Sequence, residues 1–188
     1  MKVSVFIATS LDGFIARTDG ALDWLPGDDG EPHGYDEFIA TVDAIVMGRN
    51  TFDTVLSFGA WPFGAMPVIV LTTRPLVGTV PADAVYETMS GTPLEIVTLL
   101  AERGHAHLYI DGGVTVQRFL EAGLIQRVII TRVPVVLGTG IPLFGPVARD
   151  IRFEHVATRA YASGLVQSEY RMNSPEHGQQ KYPGTSGT

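Results

Sequence analysis

Three stretches join a short apolar run to glycines, hydroxyls or a cation, and each has the makings of an anion grip. Gly48-Arg49-Asn50-Thr51 follows Ala44-Ile45-Val46-Met47 and precedes the helix-like spacing of Phe52, Val55 and Leu56. Unpaired amides and the helix dipole at such a start favour an anion, although a plain glycine turn capped by Asn50 has the same pattern. Thr72-Thr73-Arg74 follows Val68-Ile69-Val70-Leu71. Its two hydroxyls and guanidinium suit a phosphate monoester, or a solvated turn before Pro75. Asp111-Gly112-Gly113 follows His107 to Ile110, and two glycines let a backbone approach a pyrophosphate or simply turn.

The surrounding pattern supplies a scaffold for these junctions. Val3, Val5 and Ile7 predict a first strand that bends at Gly13-Phe14-Ile15, followed by a Gly-, Pro- and Asp-rich loop over 19–34 and a short helix over 35–41. Strands over 44–47 and 68–71 come next. Thr92-Pro93-Leu94-Glu95 has capping-box spacing with Pro at the first helical position, so a helix should run to about Arg103 and stop at Gly104. A strand over 107–110, a helix over 114–122, a strand over 127–136 and a hairpin over 151–160 and 165–172 complete the reading. Repeated strand-turn-helix units imply a mostly parallel sheet with helices on both faces, and the final hairpin adds antiparallel strands at one edge. Ligands of such sheets bind beyond the carboxyl ends of the strands, so the three junctions should converge on one crevice fit for a dinucleotide.

Composition narrows the alternatives. A chain of 188 residues, 45% hydrophobic and 18% charged, is long enough for one domain and short for two. Its formal charge of -7 disfavours a broad grip on nucleic acid or an anionic membrane. The absence of cysteine removes disulfides, thiolate nucleophiles and cysteine-based zinc sites, and fits a cytoplasmic protein. Neither the Val3–Leu11 run nor Val128–Leu137 suits a membrane span. His105 and His107 lack further ligands at metal spacing, so no metal is expected. No serine elbow and no Gly-x-x-x-x-Gly-Lys loop occurs.

Four ordered motifs resemble the dihydrofolate-reductase-like superfamily: Ser10-Leu11-Asp12-Gly13-Phe14-Ile15-Ala16, Met47 to Phe52, Asp111-Gly112-Gly113, and Pro134 to Phe144. The branch most similar is the reductase domain of bacterial riboflavin-biosynthesis enzymes and its stand-alone relatives. The resemblance covers about residues 1–172 and implies a three-layer α/β/α domain with a mostly parallel mixed sheet and an antiparallel C-terminal hairpin. A polar tail over 173–188 follows. It also implies NADPH as cofactor, a small heterocyclic or ribose-derived substrate, and a homodimer. By resemblance Gly48, Arg49, Asn50 and Thr51 hold phosphates, and Thr72, Thr73 and Arg74 meet the adenosine 2'-phosphate. Gly112, Gly113, Val114 and Thr115 receive the pyrophosphate, while Ala8 and Ile15 line the nicotinamide.

Hydride transfer also needs a proton beside the reduced carbon. Asp12, in the best-matched motif, and Glu37, early in the first helix, are the candidates; each also reads as ordinary turn or helix-start chemistry. Dihydrofolate reductases hold the pterin with an acid early in that helix, and Asp36 and Glu37 lie there without matching the motif. Asp36, Trp24 and the Gly138-Thr139-Gly140 loop are candidate substrate contacts, the loop through amides that could form a nest for a substrate phosphate. Trp24 and Trp61 equally suit buried loop anchors. Two rival functions follow: a folate-type reductase, and a non-catalytic nucleotide-binding or sensor protein on the same fold.

Overall fold

The computed structural model describes residues 1–27 and 30–172; the expected C-terminal tail lies outside the described residues. An eight-stranded sheet is built from β1 (Lys2–Thr9), β3 (Ala44–Gly48), β4 (Val68–Leu71), β5 (Tyr86–Met89), β6 (His107–Asp111), β7 (Arg127–Arg132), β9 (Phe153–Ala160) and β10 (Val166–Met172). Its spatial order is β5-β4-β3-β6-β1-β7-β10-β9. The first six run parallel, and β10 lies antiparallel between β7 and β9. Two short strands, β2 (Phe14–Ala16) and β8 (Ile141–Pro142), pair separately.

Strand alternation divides the core into two layers. Val3, Val5, Val46, Leu108 and Ile110 pack on one face against α3 (Pro93–Glu102) and α4 (Gly113–Glu121) through Ile96, Leu100, Val116 and Phe119. Ile45, Met47, Val68, Val70, Tyr109 and Ile129 meet α1 (Tyr35–Ile39) and α2 (Arg49–Leu56) on the other face, through Phe38, Phe52 and Val55. This is the three-layer arrangement that the strand-turn-helix pattern implies. No helix among the described residues is long and apolar enough to cross a membrane.

Three elements differ from the expected ones. The edge strand β5 carries no apolar run, because Tyr86, Glu87 and Thr88 are exposed and backbone pairing to β4 alone defines it. The strand over 127–136 ends at Arg132, where Pro134 has no amide proton to continue a ladder. Helix α1 ends at Ile39, two residues early, in a turn where the Thr41 hydroxyl donates to the Phe38 carbonyl.

The predicted capping box is formed: the Thr92 hydroxyl accepts from the Glu95 amide at 3.3 Å, and Glu95 accepts from the Thr92 amide at 2.7 Å. Thr92→Ala should lower unfolding free energy by about 1 kcal/mol, read from the urea midpoint at unchanged slope.

Candidate functional site

The central strands part company at the carboxyl edge of the sheet. β1 keeps its register with β7 as far as Thr9 opposite Arg132, and β6 keeps its register with β3 as far as Asp111 opposite Met47. Between β1 and β6, however, pairing stops at Ser4 opposite Tyr109. Beyond that point a seam opens between two strands that each remain fixed on the outer side. In a parallel ladder alternate residues direct their amide and carbonyl to alternate neighbours. Val3 and Thr9 serve the β7 side and Lys2 the β6 side, so Phe6 and Ala8 address the seam. The Phe6 carbonyl is met there by the Tyr109 hydroxyl at 2.8 Å. Ala8 presents its amide and carbonyl to the opened part.

The three junctions lie at the same carboxyl edge of the sheet, and the two that carry glycine touch each other. A side chain at Gly48 would press on the Thr115 hydroxyl of α4 at 3.0 Å, and one at Gly112 would collide with the Thr51 hydroxyl of α2. Arg49 reaches from α2 to the Pro75 carbonyl at 3.1 Å and pairs with Asp53 at 3.5 Å, which draws the Thr72-Thr73-Arg74 turn toward the same edge. Thr72 accepts from the Arg74 amide, and no ion pair engages the exposed Arg74 guanidinium among the described residues. Helices α2 and α4 begin at Gly48 and Gly112 without a side-chain cap, in contrast to the boxed start of α3. Their first-turn amides therefore remain available to an anion. Asn50 and Val114 are exposed in those first turns.

The Ser10–Ala16 turn folds over the start of α4. A side chain at Gly113 would meet Ile15 at 3.1 Å and Ile141 at 3.0 Å, and one at Gly140 would strike the Ala16 carbonyl. Asp12 clamps this lid from within. It accepts from the Ser10 hydroxyl at 2.6 Å and from the Leu137 and Gly138 amides at 3.1 and 2.7 Å. Chiefly through Ser10, these bonds hold its carboxyl below the usual carboxylate range, so near neutral pH it is an acceptor and not a proton source. Of the Gly138-Thr139-Gly140 amides expected to form a phosphate nest, that of Gly138 is thus engaged by this internal carboxylate. Thr139 stays exposed beside it.

The remaining expected contacts lie farther out. Trp24 is 9% exposed and anchors the 19–34 loop against Val133, Tyr161 and Leu165, with Ala8 at the edge of that cluster. The structure thus gives it the anchor's place. Asp36 and Glu37 are exposed on α1, and Glu37 borders a cleft of about 350 Å³ that Phe6 of β1, Phe38, Arg127, Ile129 and Glu169 also line. Tyr35 and Phe38 of α1 lie beside the seam: both rings meet Phe6, Phe38 also meets Tyr109, and the Tyr35 hydroxyl feels the charge of Asp111. His107 is buried between the Ser4 hydroxyl and the Thr41 carbonyl, a packed and bonded core group.

Sequence reasoning missed Asp111 as an acid. It was read only as part of a glycine turn, yet alternation places it with Tyr109 on the α1 face of β6, at the lip of the seam. Burial pushes its carboxyl up to about 6, against the opposing pull of the Gly112 amide and Tyr109 hydroxyl. An acid directly before Gly-Gly, at the end of a central strand, was the available signal.

Two substitutions test this geometry. Gly112 has φ of 86° and sits against Thr51, so Gly112→Ala should destabilise by about 2 kcal/mol or more in urea unfolding. Asp12→Ala should speed hydrogen exchange at the Leu137 and Gly138 amides selectively; unchanged protection there would refute the clamp.

Comparison with known proteins agrees with this architecture. Residues 1–167 match the model of the RibD C-terminal domain. The uncharacterized protein YwjB of Bacillus subtilis (strain 168) is 34% identical over 172 residues, covering 90% of this chain and 97% of that one. A crystal structure from Shewanella sp. PV-4, named for riboflavin biosynthesis, is 40% identical with a TM-score of 0.85, covering 93% of this chain and 100% of that one. Dihydrofolate reductase from Enterococcus faecalis, solved with NADP(H), shares the fold at 19% identity and a TM-score of 0.64, covering 92% of this chain and 97% of that one. With its family model spanning nearly the whole described chain and its mixed sheet arranged as in these structures, the chain belongs to the RibD C-terminal domain family.

Proposed function

We propose that the chain is an NADPH-dependent reductase that delivers hydride to a C=N or C=O carbon of a small heterocyclic or ribose-derived substrate. The observation that carries this reading is the opened seam between β1 and β6, with two uncapped helix starts beside it and an exposed Arg74 that has no ion pair among the described residues. The first-turn amides of α2 and α4 suit the pyrophosphate, and Thr72, Thr73 and Arg74 suit the 2'-phosphate. The Ala8 amide and carbonyl suit a planar carboxamide entering the seam, with Ile15 packing beside Gly113. Bound NADPH would supply the hydride; the chain's residues orient it and exclude water. A folate-type reaction lacks its usual support, because Asp36 and Glu37 are exposed, and Tyr35 and Phe38 are the α1 side chains whose rings meet Phe6.

Titration of the purified protein with NADPH and with NADH, followed through tryptophan fluorescence, tests the reading. NADPH should bind with clear preference, and Arg74→Ala should weaken it about tenfold or more while leaving NADH unaffected. Binding of neither nucleotide by the wild type, with no thermal shift, would remove the reductase reading.

A further inference from the structure

Tyr109 carries a hydroxyl into the sheet at the place where pairing between β1 and β6 stops. It is 6% exposed in the layer formed by Phe38, Ile45, Met47 and Ile129, with its ring edge-on to Phe38 at 5.2 Å. Packing alone would be served by phenylalanine, since a buried hydroxyl costs free energy until it is bonded. The bond that this one makes crosses from β6 to β1 and meets the Phe6 carbonyl at 2.8 Å, just beyond the last backbone register of Ser4 with Tyr109. Asp111 of the same strand also lies within reach of the phenol, which has a single proton to give. Burial pushes the loss of that proton well above the ordinary tyrosine range, so the hydroxyl is a standing donor at the base of the seam.

The carbonyls of Phe6 and Ala8 address the same side of β1, two residues and roughly 6.6 Å apart. They are chemically alike, so a primary amide entering a gap that left both unmet would find two levels at which to bind. The Tyr109 hydroxyl fills the inner one. Building on the reductase reading, we propose that Tyr109 is a positioning residue: by taking the Phe6 carbonyl it leaves Ala8 as the level that holds the nicotinamide carboxamide, and so fixes how deep the ring enters the seam. Any residue at position 8 supplies a carbonyl, whereas closing the inner level takes a side chain of this reach on the facing strand. The phenol is held to that task, because Phe38 stands edge-on beside it and packs in turn on Phe6 at 5.1 Å.

Carbonyl carbon-13 signals of Phe6 and Ala8 test this in the wild type. Saturating NADPH should move the Ala8 signal and leave that of Phe6 in place. 2'-Phospho-ADP-ribose, which has the phosphates and lacks the nicotinamide, should move neither. In Tyr109→Phe, which keeps the ring and loses the hydroxyl, the Phe6 signal should respond to NADPH as well. The carboxamide there divides between two levels and competes with water at the freed carbonyl. The margin by which NADPH outbinds 2'-phospho-ADP-ribose should therefore fall about tenfold, with the affinity for 2'-phospho-ADP-ribose unchanged. Equal weakening of both ligands would mark the phenol as purely structural and overturn the proposal while the reductase reading stands. So would a wild-type Phe6 signal that shifts with NADPH, an Ala8 signal that does not, or a variant indistinguishable from the wild type. Failure of the wild type to bind either ligand overturns both.

Discussion

A parallel sheet buried on both faces must pair its backbone polar groups, and here the two central strands give up that pairing at their carboxyl ends. Leaving a buried carbonyl unmet costs about 1–3 kcal/mol, so such a seam persists only where something else answers the exposed groups. For Phe6 that answer is the Tyr109 hydroxyl. For Ala8, two residues on, the described chain offers no comparable side chain, and the position has the form of a site completed by a ligand. The opening is held from outside: β7 grips β1 through Thr9, and β3 grips β6 through Asp111. Because each lip is fixed by its outer neighbour, the gap is part of the fold's geometry.

The contacts around the seam follow from this arrangement. α2 and α4 can start side by side because Gly48 and Gly112 lack side chains where Thr115 and Thr51 must fit. The Ser10–Ala16 turn is pressed down by the β2–β8 pair and tied by Asp12 to the loop after β7. Asp12 thus acts through the backbone it positions, and the best-matched motif encodes a cover for the crevice more than a reacting group. The hairpin beyond β7 is tied to that strand by the ion pair of Arg127 on β7 with Glu169 on β10, at 2.8 Å.

Legibility in the sequence tracked how local each feature's cause was. The capping box at Thr92, the glycine junctions and the alternating hairpin depend on neighbouring residues, and they formed where the spacing predicted. β5 was invisible because an edge strand whose first three residues are exposed needs no apolar run. The early end of β7 was written in Pro134, but the Val-rich run around it outweighed that single residue. The seam itself left no local trace, since the residues of β1 read as an unbroken strand and only the ladder's partners show where pairing stops. The acid was misplaced for a similar reason: a carboxyl's protonation depends on what surrounds it in three dimensions, and Tyr35 is far from Asp111 in sequence.

Gly112 makes two opposed electrostatic requirements compatible within three residues. Phosphates call for an open, positive setting, supplied by uncapped helix amides and arginines. A carboxyl pushed up to about 6 calls for the reverse, a crowded wall that excludes water. Asp111 ends β6 on the neutral side, facing two tyrosines, and Gly113 begins α4 on the positive side. Between them the chain turns at φ of 86°, a conformation that L side chains rarely adopt, at a spot where Thr51 leaves no room for a Cβ. The Asp-Gly-Gly sequence thus joins a buried carboxyl to an uncapped helix start within three residues, and the one bond that crosses the turn, from the Gly112 amide to Asp111 at 2.8 Å, works against the upward push of burial.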